Sequence, residues 1–520
     1  MALETREMVF DVVVVGGGGA GLLAAAEAGR LGCKVCVLEK DSALGGTTAM
    51  SVGSIMAAGT RLQRQDGVVD SPAEHAQDLA TICTQLGLHD NAELRNLYTN
   101  HAAETVDLLE SIGVVFTQPM PQPPHGKPRL HQVIPGSRSY IYHLEKYCRK
   151  HAVALMVGVQ VDSLVCQQGR VLGVKAHDAE GELAITAKRA VVLASGDVAG
   201  DAELLRTYVT TGLEGVKPIN PVCAGDGHRM AAAAGAHIVP RTDFSAASLT
   251  HIRFLPPSRK NFVQRIPPYA PLARLAKLAI THAPPALIRP FVLQFLTTAL
   301  APDRGVFQNG ALLVNLSGQR FADELSGPGV NDVGRHDRKV AESGNEGTAP
   351  SLLLARQSEG LGYLVFDHRL ATVFSKWPHF ISTAPGVAYA YLDDYRKARP
   401  DLFHTAQTLE ALSEILRMPS GSLPKTVAQA NSQRSDHPLA QAPFYALGPV
   451  AAWILVTPVG LKVDGRLRVL REDGSPIAGL FAAGGAGQGG FTLTGHGHGL
   501  GWAFTSGMLA GRNATHRDDI

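Results

Sequence analysis

Phe10-Asp11-Val12-Val13-Val14-Val15-Gly16-Gly17-Gly18-Gly19-Ala20-Gly21 is the stretch whose reading decides the fold. Its first half, Phe10 to Val15, is a β-type run, apolar apart from Asp11 and ending in four valines, as suits a buried strand. After the glycines comes an Ala/Leu-rich segment, Leu22 to Leu31, that reads as a buried helix. Strand, glycine turn and helix in this order make the phosphate-binding turn of a βαβ unit. Gly16 permits the tight turn, Gly18 lets a pyrophosphate approach the backbone at the positive helix end, and Gly21 lets helix and strand close up. Lys34 to Leu38 forms the second strand and Glu39 ends it. A carboxylate there accepts hydrogen bonds from an adenosine ribose. The sequence thus predicts an α/β fold with a Rossmann-like dinucleotide domain.

Around this anchor, 520 residues suffice for about two domains and a large enclosed cofactor. The 55 glycines imply many tight backbone positions. A formal charge of +2, with no basic run interleaved with aromatics, argues against a nucleic-acid partner. Cys33, Cys36, Cys83, Cys148, Cys166 and Cys223 are scattered without a disulfide spacing, which fits a reducing cytoplasm. Cys33 and Cys36 form a CxxC on the second strand, but no second pair completes a metal site, so core packing is expected and no metal. Met1 to Phe10 enters a strand at once and leaves no room for an export signal.

Two further segments separate the cofactors. Lys40-Asp41-Ser42-Ala43-Leu44-Gly45-Gly46-Thr47-Thr48 and Ser51-Val52-Gly53-Ser54-Ile55-Met56-Ala57-Ala58-Gly59-Thr60 resemble the E-K-x-x-x-x-G-G-x-[ST] and S-x-G-x-x-x-A-A-G-T segments of the fumarate reductase and 3-ketosteroid dehydrogenase flavoproteins. The resemblance implies FAD, with Gly19, Ala20, Lys40, Gly45, Gly46, Thr47, Thr48, Ser51, Val52 and Gly53 along it. The histidine that some relatives use for covalent attachment is absent from Gly45 to Ser54, so the FAD is expected to be noncovalent.

The likeness continues down the chain. The family sets the Val161 backbone against the adenine and a small-residue strand end, here Ala194-Ser195-Gly196, beneath the dinucleotide. Asp226 either caps the helix His228 to Ala234 or bonds the cofactor, capping being the stronger reading. Ala483 and Gly484 follow the family order, and so does a last helix, Leu500 to Arg512, whose N-terminus, with Gly499 and Leu500, would stabilise charge on the flavin pyrimidine. Family members often carry a glutamate after the A-A-G run, where this chain has Gly485. These anchors predict an FAD-binding domain from residues 1–240 and 447–520, with an inserted α+β capping domain at 241–446 that meets the flavin around the substrate.

Departures from the family narrow the substrate. In the fumarate reductase branch, a cap arginine after E-L-S and a His-His-Thr segment serve a dicarboxylate. Here Glu324-Leu325-Ser326 precedes Gly327-Pro328-Gly329, and the other segment reads Leu455-Val456-Thr457. With only Thr457 kept, fumarate and succinate lose their charge-assisted bonds. The ketosteroid branch polarises a ketone with Tyr-Pro-Gly and a backbone N–H; the corresponding residues are Leu493-Thr494-Gly495 with Gly497, flanked by His496 and His498. Candidates for the second proton are His496, His498, Tyr140, Tyr389 and Tyr391. The sequence reads as an oxidoreductase acting on a CH–CH bond beside a carbonyl, its leading substrate an apolar cyclic ketone such as a 3-ketosteroid. The alternatives are a membrane-associated quinone-linked dehydrogenase and a fumarate-reductase-like reductase of an unsaturated acid. Without a second G-x-G-x-x-G, electrons are expected to pass to or from a quinone or redox protein.

Residues 251–301 contain no Asp or Glu, whereas Arg253, Arg259, Lys260, Arg265, Arg274, Lys277 and Arg289 are interspersed with the apolar segments Leu272 to Ile280 and Ala286 to Leu300. Neither is long enough to span a bilayer. Two readings stand: a peripheral membrane or lipid contact, or helices that cover the cap's core with the basic residues as a solvated face, the second being favoured.

Overall fold

The structure is a computed structural model and describes residues 5–257, 266–284, 289, 300–326, 349–384, 388–434 and 436–516. Strand Arg6–Val15 lies parallel between Val35–Glu39 (Val13 beside Cys36) and Gly181–Leu193 (Val13 beside Val191). Ala154–Val157 extends the parallel set on one side and Pro476–Ala482 on the other. Val12, Val13 and Val14 are fully buried because both faces of this sheet are covered. Gln160–Gln167, Arg170–Asp178 and the outer half of Gly181–Leu193 form an antiparallel ribbon on the same sheet. Cys36 is packed inside it, and burial pushes its thiol up to about 12.

Helix Gly19–Arg30 starts three residues earlier than the periodicity suggested, directly on the glycine turn. It packs backbone to backbone on the last helix, His498–Asn513. A Cβ at Gly507 would stand 2.4 Å from the Ala20 carbonyl oxygen, and one at Gly511 2.2 Å from that of Ala24. Buried Glu27 fastens the pair, accepting from Arg30 Nε at 2.9 Å and Arg512 Nε at 2.7 Å. The chain's end is thereby fixed against its beginning.

A second core is built on Phe444–Ile454, which pairs with Thr250–Phe254, Leu361–Phe366 and Phe403–Ala406, while Leu312–Asn315 flanks Leu361–Phe366. The long strand joins the two cores: Phe444 to Val450 belong to the second and Ile454 to the first. Within 251–301, helix Ala270–His282 buries only Ala273 and exposes Leu272, Leu275, Leu278 and Ile280. That departs from the expectation that this helix covers the cap's core. Arg259, Lys260, Arg265, residues 286–288 and 290–299, and Gly327-Pro328-Gly329 lie outside the described residues. Among the described residues no helix is long and apolar enough to cross a membrane.

Candidate functional site

At the glycine turn, close backbone contacts account for Gly16 and Gly21. Gly16 has φ +108°, and a Cβ there would lie 2.4 Å from the Ala194 oxygen. At Gly21 a Cβ would strike the Gly16 oxygen. At Gly18, by contrast, the nearest atom to an added Cβ is the Gly45 oxygen at 4.0 Å, so the backbone is open to a ligand at the N-terminus of helix Gly19–Arg30, whose N-cap has no side-chain partner. Glu39 accepts Gly17 N–H at 2.7 Å and Asp41 N–H at 2.9 Å. Each carboxylate oxygen keeps a second lone pair for a ribose hydroxyl.

The hydroxyls of the following loop are partly engaged. Thr48 Oγ1 accepts Gly19 N–H at 3.1 Å, Thr47 Oγ1 accepts from Asn220 Nδ2 at 3.0 Å, and Ser51 Oγ donates to the Thr48 carbonyl at 2.8 Å. Asp226 is not the helix cap: Gly225 occupies that position, and the Asp226 carboxylate pairs with Lys40 Nζ at 2.5 Å. Val161 sits buried in the ribbon, and Ser195 Oγ, beside Gly227, is a buried atom with no hydrogen-bond partner among the described residues.

At the other end stands the N-terminus of helix His498–Asn513. Its N-cap, Gly497, has φ +89° and no side chain to cap the turn. A Cβ at Gly497 would crowd Met56 N at 2.9 Å, whereas at Gly499 it would meet nothing within 4 Å. Trp502 Nε1 donates to the Gly484 carbonyl at 3.0 Å, and Ser506 Oγ accepts Gly484 N–H at 2.8 Å, so two hydrogen bonds tie the Ala483-Gly484 turn to the helix. The open backbone at Gly18 and Gly499 and the strand-end carboxylate of Glu39 fit an extended dinucleotide.

His496 is half-buried, and its backbone N–H and carbonyl pair with the Gln122 amide at 3.0 Å each. Burial and the positive charge of Arg253 hold its imidazole down to about 4. Arg253, on strand Thr250–Phe254, is almost fully buried. Among the described residues it forms no ion pair, its Nε has no hydrogen-bond partner, and desolvation lowers the guanidinium to about 10. The solvated basic face expected of it is therefore not found.

His498 is fully buried, with Nε2 3.0 Å from His75 Nε2 and its ring centroid 5.0 Å from that of His125. Burial holds His75 and His498 well below the ordinary histidine range and His125 at about 4. Thr457 N–H donates to Asp197 Oδ2 at 2.7 Å. Tyr140 is fully buried, its hydroxyl donating to the Gly53 carbonyl at 2.7 Å and burial raising its pKa. Tyr389 lies on strand Ala388–Ala390 under the Arg289 guanidinium, 4.4 Å from its ring. Neither tyrosine ring contacts His496 or His498. His75, His125, Gln122 and Asp197 carried no signal in the sequence, because their meaning is spatial: they come from segments far apart in the chain.

The sequence profile of the FAD binding domain family matches residues 11–265 and 270–501. The chain belongs to this family, and FAD is its cofactor. Relatives include an NADH:acrylate oxidoreductase of Vibrio harveyi, 26% identical over 98% of this chain and 51% of that protein. A urocanate reductase of Eggerthella lenta is 25% identical over 91% of this chain and 69% of its own. The chain thus spans about half the length of the first of these relatives. The open conformation of a flavocytochrome c3 fumarate reductase superposes with TM-score 0.70 at 23% identity, covering 98% of this chain and 78% of that one. The 3-ketosteroid-Δ4-(5α)-dehydrogenase of Rhodococcus jostii RHA1 does so with 0.58 at 23%, covering 99% and 98%.

Proposed function

We propose that this flavoprotein transfers hydride at a carbon–carbon bond conjugated to a carboxylate, interconverting an α,β-unsaturated acid and its saturated form. The carrying observation is Arg253. A guanidinium enclosed by protein, with no carboxylate partner among the described residues, is costly unless an anion completes it, and its charge reaches His496 at the head of the last helix. Relatives named for acrylate and urocanate support an acid. The apolar ketone that led the sequence reading gives Arg253 nothing to neutralise, and a dicarboxylate asks for a second cation beside Arg253, which the described residues do not place there.

FAD, when bound, supplies the hydride acceptor or donor. Arg253 would grip the carboxylate and orient the conjugated bond. Gly497 N–H, to which none of the described residues offers an acceptor, would polarise the same group. His496, neutral near pH 7, would take the proton from the second carbon in the direction that forms the double bond. Electrons would come from an external quinol or redox protein. The exposed leucines of helix Ala270–His282, interspersed with Arg274 and Lys277, support a peripheral membrane contact on that path.

The test is to bleach the bound flavin with dithionite without oxygen and offer acrylate, cinnamate, fumarate or a neutral steroid enone. Return of the visible flavin band with a monoacid, and its loss in Arg253→Met, is the expected result. Return with the neutral enone alone sinks the acid reading and restores the ketone.

A further inference from the structure

We propose that His75, His125 and His498 form a site for one divalent transition-metal ion of the zinc class. The three imidazoles come from helix Pro72–Leu86, from the loop after Gln122 and from the first position of the last helix. One donor nitrogen from each lies within 4.8 Å of the others, and all three side chains are buried. The ring centroids are 5.0 Å (His125 to His498), 5.3 Å (His75 to His498) and 6.0 Å (His75 to His125) apart. Zinc–nitrogen bonds of about 2.0–2.1 Å at tetrahedral angles place ring centres roughly 5 Å from one another. The cluster already has that size.

Hydrogen bonding alone leaves the cluster unsatisfied. His75 Nε2 and His498 Nε2, 3.0 Å apart, can share a single proton. Nδ1 of His75, His125 and His498 is in each case buried and hydrogen-bonds to none of the described residues, so no hydrogen-bond network among them accounts for three imidazoles packed together. The surrounding charge suits a cation. Arg129 pairs with Asp70 at 2.7 Å and with Asp78 at 2.5 Å, so two carboxylates outweigh one guanidinium. Asp78 Oδ2 lies 4.0 Å from His125 Nδ1, on the outer side of the ring, where metal-bound imidazoles find their supporting carboxylate. The N-terminus of the last helix opposes the ion, and the carboxylate excess offsets it.

The ion would tie the loop that holds His496 through Gln122 to the helix that carries Gly497. It also takes His498 out of acid–base chemistry and leaves His496 for that task. The inference is independent of the choice of substrate.

The test uses tag-free, flavin-loaded protein. Metal content after dialysis is measured by plasma mass spectrometry, and Co2+ is then titrated while the ligand-field bands beyond the flavin absorption are followed. About one equivalent of metal, with intense bands typical of a four-coordinate site, is the expected result. His125→Ala should lose the bands while keeping its flavin spectrum, and His75→Gln provides the same check should the first variant not fold. If the wild-type flavoprotein neither retains a metal nor binds Co2+ or Zn2+, the site is overturned.

Discussion

Asp197 stands where a side chain at position 485 would point: a Cβ at Gly485 would come within 3.1 Å of the Asp197 Cβ and 3.0 Å of its nitrogen. The glutamate that family members often carry there would press on the Asp197 backbone and side chain. Asp197 accepts N–H groups from Thr457 at 2.7 Å and Ala199 at 3.2 Å, and burial raises its pKa.

Asp197→Ala should therefore leave two buried donors unmatched, at about 1–3 kcal/mol each. The expected outcome is a lower melting temperature and faster release of flavin fluorescence on dilution. Asp197→Asn, which keeps one acceptor, should fall between the two. Unchanged flavin retention in the alanine variant would remove Asp197 from the cofactor site.

Arg253 separates binding from folding. Arg253→Met keeps the buried volume and removes a desolvated charge, so stability should hold or rise. Substrate affinity should fall by about 2–4 kcal/mol, the loss of a charge-assisted pair. KM measured with a monoacid should rise more than tenfold while flavin content stays constant. A KM unchanged in this variant would sink the role proposed for Arg253.

The first strand, its glycine turn and Glu39 were legible in the sequence because each is a local pattern: continuous burial, backbone room and a strand-end carboxylate. The last helix was legible too, although it begins at His498 instead of Leu500. The capping role read for Asp226 failed because capping is inferred from sequence order alone, and the ion pair with Lys40 joins residues from distant segments. Arg253 was grouped with its basic neighbours because composition does not distinguish a strand residue facing inward from a helix residue facing out. The three-histidine cluster left no trace, since no spacing rule links positions 75, 125 and 498.

His131 predicts how stability depends on pH. It is fully buried; Nδ1–H donates to the Arg129 carbonyl at 2.7 Å, Nε2 accepts from Thr60 Oγ1 at 2.9 Å, and burial holds the ring down to about 4. Above about pH 6.5 neither the folded nor the unfolded chain protonates it, so it adds no slope. Between about 6.5 and 4 only the unfolded chain takes the proton, and stability falls by up to about 3 kcal/mol. Thermal melts at pH 7 and pH 5 should therefore differ less in His131→Gln than in the wild type. Equal differences would mean that the folded state also protonates His131.

Helix Ala270–His282 presents Leu275 at 63% and Leu278 at 57% exposure, flanked by Arg274 and Lys277. Leucines on a helix face with cations beside them gain from an interface that offers both acyl chain and anionic headgroup. The flavoprotein should sediment with phosphatidylglycerol vesicles more than with phosphatidylcholine, and less at high salt, since surface attraction is screened beyond about 10 Å at 0.1 M. Burying one leucine contributes about 1.5–3 kcal/mol, so the double change Leu275→Glu and Leu278→Glu should weaken vesicle binding by roughly a hundredfold or more. Flavin content should not change, because neither residue packs on the cores. A wild-type protein that stays in solution with both vesicle types would end the membrane reading and leave this face to a protein partner.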